Sequence, residues 1–356
     1  MFTGGIIGSD ALLPRSETLM TMPRFIRRAV LAALTVIAFG AGFVSSVLYQ
    51  YRLAPLHQDS KSRRLVITLG SGPAAIALAL DRAGFNVSPN RLGMIIRLRG
   101  DASRYRAALY DVMPGQSLKS VLDAIARGEG QPALLRMVEG LSFRQVRELI
   151  DNHPHLSADT RAMDESTLLS RIGIPFSSAE GLFLPDTYHF APGSSALSVY
   201  RDAWRAMDRL LQKEWANRSA NLPLESAYHA LILASIIEKE TGRAEDRAMI
   251  ASVFVNRLRK GMMLQSDPTT LYALGPSFEG RLRRRDLQLD HPHNTYMRTG
   301  LPPTPIALPG RGAIEAALRP AESSALFFVA RGDGSTEFSI DLKAHNRAVE
   351  RFILKR

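Results

Sequence analysis

Residues 228–241 read Y-H-A-L-I-L-A-S-I-I-E-K-E-T. The stretch is essentially apolar from Ala230 to Ile237, contains no Gly or Pro, and ends in Glu238, Lys239 and Glu240, with Gly242 just beyond. Such a run of good helix formers predicts a helix buried nearly all round, and Gly242 fits the residue past its end. Glu238 then shares a face with Ala234 and Leu231, while Glu240 points elsewhere. A carboxylate on a buried face is costly unless paired or protonated. Burial and the negative end of the helix dipole both raise its pKa. A glutamic acid that keeps its proton near neutral pH is what general acid catalysis needs. The plainer reading is a solvated helix end, where most charge clusters sit. The surrounding sequence decides between the two.

At 356 residues the chain has room for two or three domains. A hydrophobic content of 46% with 22% charged residues describes a folded protein. The net charge of +11 admits nucleic acid, anionic lipid or an acidic polymer as partner. The Lys and Arg are spread along the chain without a nucleic-acid motif, so nucleic acid is not favoured. The absence of Cys excludes disulfides and thiol chemistry. Residues 29–49 carry no charge, and about 20 such residues cross a bilayer. Arg24, Arg27 and Arg28 precede them, which places residues 1–28 in the cytoplasm as a tail. Tyr49 and Tyr51 suit the far interface. A cleaved signal peptide would carry a shorter apolar core, so the reading is one uncleaved anchor with the rest of the chain outside the cytoplasm. Residues 1–20 read as unstructured, and Met20 or Met22 is an alternative start.

Residues 50–63 read as a polar tether. Residues 64–175 read as one or two small α+β modules with a connector. Strands are expected at Leu65–Thr68, Leu92–Leu98 and Tyr105–Val112, and helices at Ala74–Ala83 and from Ser117 to about Ala126. A weaker second copy has Ser142 capping a helix over Phe143–Asp151. Residues 176–356 read as a mixed α+β domain, with helices over about Val199–Trp215, Ala244–Lys260 and Lys343–Leu354 and a strand at Ala325–Ala330. Asp186 and Asp267 each adjoin a Pro and read as turn-forming or as supporting the glutamate. The pairs His153/His155 and His291/His293 each flank a Pro and lack acidic partners, which disfavours a metal site. No cofactor is implied.

In order, the chain carries Glu180-Gly181, Pro185-Asp186-Thr187-Tyr188, Ala234-Ser235-Ile236-Ile237-Glu238-Lys239-Glu240, Ala251-Ser252-Val253-Phe254, Asn256-Arg257-Leu258, Gln265 with Asp267-Pro268-Thr269, Asn294-Thr295-Tyr296, Gly300-Leu301-Pro302-Pro303, Pro309-Gly310 and His345-Asn346. Over roughly residues 64–354 this series resembles the endolytic murein transglycosylase family, the YceG-like membrane-anchored lytic enzymes of bacterial cell-wall synthesis. The resemblance implies a LysM-like glycan-binding module after the anchor and a catalytic domain over 176–356. It also implies peptidoglycan glycan strands as substrate, cut between N-acetylmuramic acid and N-acetylglucosamine to leave 1,6-anhydro-muramic ends. The family's catalytic glutamate maps onto Glu238. A place in the inner membrane with a periplasmic catalytic domain follows, as do termination of nascent strands and penicillin-binding proteins as partners. Residues His291–His293 depart from the family, whose members often carry an aromatic before Asn-Thr-Tyr.

The chemistry agrees with these residues. A water-using hydrolase generally needs two carboxylates. In a lytic enzyme the sugar's own C6 hydroxyl attacks C1, so one Glu serves as acid and then base, with nearby dipoles supporting the oxocarbenium-like transition state. Gln265, Thr269, Asn294 and Tyr296 are candidates to line the sugar sites, or else cap loops. Asp267 also belongs to the candidate substrate site, and Glu240 is the reserve acid. Two alternatives stay open: a muramidase with Asp267 or Asp186 as second carboxylate, and a non-catalytic glycan-binding scaffold.

Overall fold

The computed structural model describes residues 23–354 apart from 86, 277 and 279. Most of the tail expected at 1–28, and the alternative starts at Met20 and Met22, lie outside the described residues. The uncharged stretch falls within one helix, α1, Arg24–Arg52. It is 29 residues long, its most apolar 18-residue stretch has a mean hydropathy of 2.1, and none of that stretch is buried, so the helix is long and apolar enough to cross a membrane.

The chain forms two compact units. The smaller contains β1 (Arg63–Ile67), α2 (Pro73–Arg82), α3 (Pro89–Arg99), β2 (Ala108–Val112) and α4 (Leu118–Arg127), with β1 paired to β2. Its core includes Ile76, Leu80, Leu92, Ile96, Leu122 and Ile125, each fully buried. The strand expected at Leu92–Leu98 is instead α3. Pro89 starts the helix, Leu92 and Ile96 are buried four apart, and Gly100 closes it in the left-handed region. An N-terminal Pro and a 3.6-residue period outweigh the β-branched pair Ile95-Ile96. Ser117 caps α4 by accepting from the Ser120 amide, as expected.

The larger unit takes residues 131–356 together with two short segments around residues 68 and 108. It contains β3 (Ala133–Arg136), α5 (Phe143–Asp151), β4 (Leu156–Ser157), α6 (Glu165–Ile172), β5 (Thr187–Phe190), β6 (Ser194–Ser195), α7 (Ala196–Ala216) and α8 (Ala227–Glu240). Then follow α9 (Ala244–Arg259), α10 (Asp267–Leu274), α11 (Arg311–Leu318), β7 (Phe327–Ala330), β8 (Thr336–Ser339) and α12 (Leu342–Phe352). Each sheet has two strands: β3 and β5 antiparallel, β4 and β6 parallel, β7 and β8 antiparallel. Residues 131–175, read from sequence as small module and connector, pack into this unit: Phe143, Val146, Ile150, Leu168 and Leu169 join the core formed by α7, α8, α9 and α11. A capping box between Ser142 and Gln145 sets the start of α5 and turns its apolar face inward.

Helix α8 is the centre of the core. Every residue from Ala230 to Ile237 is buried, and α7, α9, α10 and α11 pack against it. The Ser226 hydroxyl caps its start by accepting from the His229 amide. Its end differs from the expected glycine stop. Thr241 turns the backbone to an extended conformation, and Gly242 is not among the residues with positive φ. Asp267, expected in a turn, is the first residue of α10, with Pro268 in a first-turn position where its missing N–H costs nothing.

Candidate active site

Two glutamates leave the last turn of α8, and their carboxyls meet different surroundings. The Glu238 side chain is 7% exposed, and its Oε1 lies 3.8 Å from the Arg247 guanidinium. Its Oε2 accepts from the Gly310 amide at 3.0 Å, at the N-cap of α11. Arg247 also faces Glu139 at 3.7 Å. Burial raises the Glu238 pKa, Glu139 adds to the rise, and the Gly310 N–H and the Arg247 and Lys239 charges oppose it. This carboxyl is engaged by a backbone donor at a helix start and by a cation, the two partners that favour its ionised form.

Glu240 has no cation within ion-pair distance among the described residues. Its Oε1 accepts from the Ser266 hydroxyl at 2.5 Å. Burial pushes its carboxyl up to about 7; the Asp267 charge adds to this, while Ser266 and Arg257 offset part of it. Beside Ser266 stand Gln265 and Asp267, both exposed, and the Tyr296 hydroxyl donates to Asp267 Oδ1 at 2.6 Å. Gln265 holds a left-handed backbone with φ of 52°, a strained conformation for a residue with a Cβ. Its amide donates to the Thr295 carbonyl at 3.1 Å. Its side-chain oxygen accepts from Arg257 at 3.3 Å, and Arg257 also donates to the carbonyls of Leu264 and Leu326 at 2.8 and 2.7 Å.

Thr269 and Asn294 are both fully buried. The Thr269 hydroxyl meets the Ser266 carbonyl at 2.6 Å and the Thr295 hydroxyl at 2.8 Å. The Asn294 side chain donates to the carbonyls of Leu287 and Leu289 and accepts from Thr270. Both therefore hold the loop carrying Tyr296 against α10, while Gln265, Asp267 and Tyr296 retain exposed surface.

Sequence reasoning assigned no role to three further groups. Arg257 holds the loop at Leu264 and Gln265, and Arg247 faces the Glu238 and Glu139 carboxylates. Glu180, 5% exposed, accepts from the Phe143 amide at 2.9 Å and from the Tyr272 hydroxyl at 3.3 Å. Burial pushes it up to about 7 against both donors. An acid just before Gly181 and the apolar run Leu182-Phe183-Leu184 was its signal. Gly181 has φ of 77°, and a Cβ there would lie 2.4 Å from Pro305 Cβ, so the backbone at this point requires glycine. Glu180 borders a cleft of about 720 Å³ whose lining includes Lys239, Pro268, Tyr272, His293 and Ile306. Neither Glu238 nor Glu240 lines it. Asp186 lies elsewhere: its side chain turns back on the Thr187 amide.

The histidine pairs serve local packing. His153 bonds to the Leu134 carbonyl. His293 bonds to Thr304 at 2.8 Å and packs on Tyr272, and burial pulls its pKa down to about 4. Among the described residues no group of three or more His, Asp or Glu is placed to hold a metal.

A family model described as the YceG-like family matches residues 65–351. An endolytic murein transglycosylase of Bacillus subtilis is 31% identical over 320 residues, covering 85% of this chain and 88% of that protein. One from Streptococcus pneumoniae is 29% identical over 342 residues, covering 85% of this chain and 61% of that protein. The crystal structure of a putative YceG-like protein from Listeria monocytogenes superposes with a TM-score of 0.54 at 29% identity, spanning 81% of this chain and 99% of that one.

Proposed function

The chain belongs to the YceG-like family, and from that premise we propose that it is an endolytic murein transglycosylase whose general acid and base is Glu240, in place of the Glu238 expected from sequence. The observation that carries this assignment is the contrast between the two carboxyls. Glu238 is committed to the Gly310 amide and Arg247. Glu240 is held near 7 by burial, accepts from a neutral hydroxyl, and adjoins the exposed Gln265 and Asp267 and the half-buried Tyr296.

The reaction needs one carboxyl. Glu240 gives its proton to the glycosidic oxygen as the C1–O bond of N-acetylmuramic acid breaks. The C6 hydroxyl of the same sugar then bonds to C1 and returns a proton to Glu240, leaving a 1,6-anhydro end and no net proton change. A pKa near the working pH suits a group that both gives and takes a proton. The dipoles of Gln265 and Tyr296 support the cationic transition state, and the buried Thr269, Thr295 and Asn294 keep those dipoles in place. In this reading α1 anchors the enzyme in the inner membrane with the catalytic unit outside the cytoplasm, close to cell-wall synthases and able to end nascent strands. The strand–helix–helix–strand order of the smaller unit supports a LysM-like glycan-binding role.

The exposed Asp267 carboxylate beside Glu240 favours a second reading, a water-using muramidase. Mass spectrometry of fragments released from purified sacculi separates the two. Anhydro-muramic ends are expected; reducing ends would establish the muramidase, and no soluble fragments would leave a binding scaffold.

A further inference from the structure

The cleft beside Glu180 has no part in the proton transfers, yet it is a built cavity close to the end of α8. Lys239, the residue between the two glutamates, forms part of its wall, as do Pro268 and Leu271 of α10. The cleft thus shares two elements with the Glu240 site: the last turn of α8, and α10, whose first residue is Asp267. We propose that this cleft is a subsite for the acidic peptide stem carried by the muramic acid at the cut, read by Lys239 and Arg144 over an apolar floor; the proposal rests on the murein reading above.

The charge in the cleft fits an anionic occupant. The Lys239 ammonium donates to the Gly140 carbonyl at 3.3 Å and has no carboxylate partner among the described residues. Arg144, also in the lining, pairs among the described residues only with Glu148 one helical turn away, and both side chains are more than half exposed, a pairing that a ligand carboxylate can exchange at little cost. Glu180 is the acid in the wall, and burial keeps it largely uncharged below pH 7, so it does not cancel the two cations. Leu271, Tyr272, Pro268 and Ile306 supply apolar and aromatic surface for the short side chains of a peptide. The volume of about 720 Å³ lies within the range of sites that enclose small ligands. Carboxylate recognition by one exposed ammonium and one guanidinium gives selectivity more than raw affinity.

The test uses the full chain in detergent micelles with two substrates: uncross-linked glycan strands bearing their peptides, and the same strands stripped of peptide by an amidase. The wild type is expected to have the higher kcat/KM on peptide-bearing strands. Lys239→Ala should lower the ratio of the two kcat/KM values about tenfold, the scale of one charged hydrogen bond, and Lys239→Arg, which keeps the cation, should restore most of it. No preference in the wild type, or a ratio unchanged in Lys239→Ala, overturns the subsite. Binding is read separately by calorimetry with a soluble N-acetylmuramyl tripeptide and with N-acetylmuramic acid alone. Tighter binding of the tripeptide that Lys239→Ala abolishes upholds the subsite even where neither strand is cut, a result that would remove the transglycosylase reading instead. Equal binding of both compounds overturns the subsite and leaves that reading intact.

Discussion

Glu180, Glu238 and Glu240 are three buried carboxyls whose neighbours make them different acids. The Glu240 carboxyl, held up to about 7, must be protonated for the first step. The expected outcome is a kcat/KM that falls as pH rises through about 7, measured as initial rates of fragment release between pH 5 and 9. Glu180 bears on stability. Its folded pKa of about 7 lies above the ordinary 4.5, so the folded state binds this proton more tightly than the unfolded one. The resulting stability is fully present below about 4.5 and is lost as pH rises to about 7, up to roughly 3 kcal/mol. Glu180→Gln should therefore be more stable than the wild type at pH 8, with the gain shrinking toward pH 5, as read by denaturant unfolding at each pH. That the apolar helix ends in two candidate glutamates was legible in residues 228–241. What distinguishes them was not: the partners are Ser266 for Glu240 and Gly310 for Glu238, distant in the chain, and helical spacing says nothing of what arrives from so far.

At the scale of elements, α8 derives its strength from burial on every side. Leu233 is fully buried, so Leu233→Ala should cost about 2–5 kcal/mol of unfolding free energy, measured by chemical denaturation. The interior of this helix was plain from its apolar run and its Ser226 cap. Its end was not, because Thr241 rather than Gly242 makes the break. Helix α3 was mistaken for a strand since Ile95 and Ile96 carry strand preference, whereas the burial of Leu92 and Ile96 on one helical face is set by tertiary packing. Likewise α10 begins at a residue whose neighbour Pro268 suggested only a turn; a Pro also starts helices. The Asn-Thr-Tyr segment reads as sugar-lining by residue type, but Asn294 and Thr295 are buried and only Tyr296 keeps surface.

At the scale of the molecule, the long apolar helix and the mixed helix and strand character were legible from one uncharged run and from alternating helix and strand signals. The extent of the larger unit was harder to see. Residues 131–175 resemble a second small module in local pattern, yet Phe143, Val146 and Ile150 belong to the core around α8, and local pattern does not say which core an amphipathic helix joins. A chain truncated before residue 53 should partition into the soluble fraction on carbonate washing, while the full chain stays with the membrane. The most direct measurement compares Glu240→Gln and Glu238→Gln, each checked for folding by circular dichroism, on purified sacculi. The account predicts that Glu240→Gln loses anhydro-muramic products by a factor of about 100 or more, while Glu238→Gln, even if less stable, still releases them. Anhydro products at the wild-type rate from Glu240→Gln would contradict it.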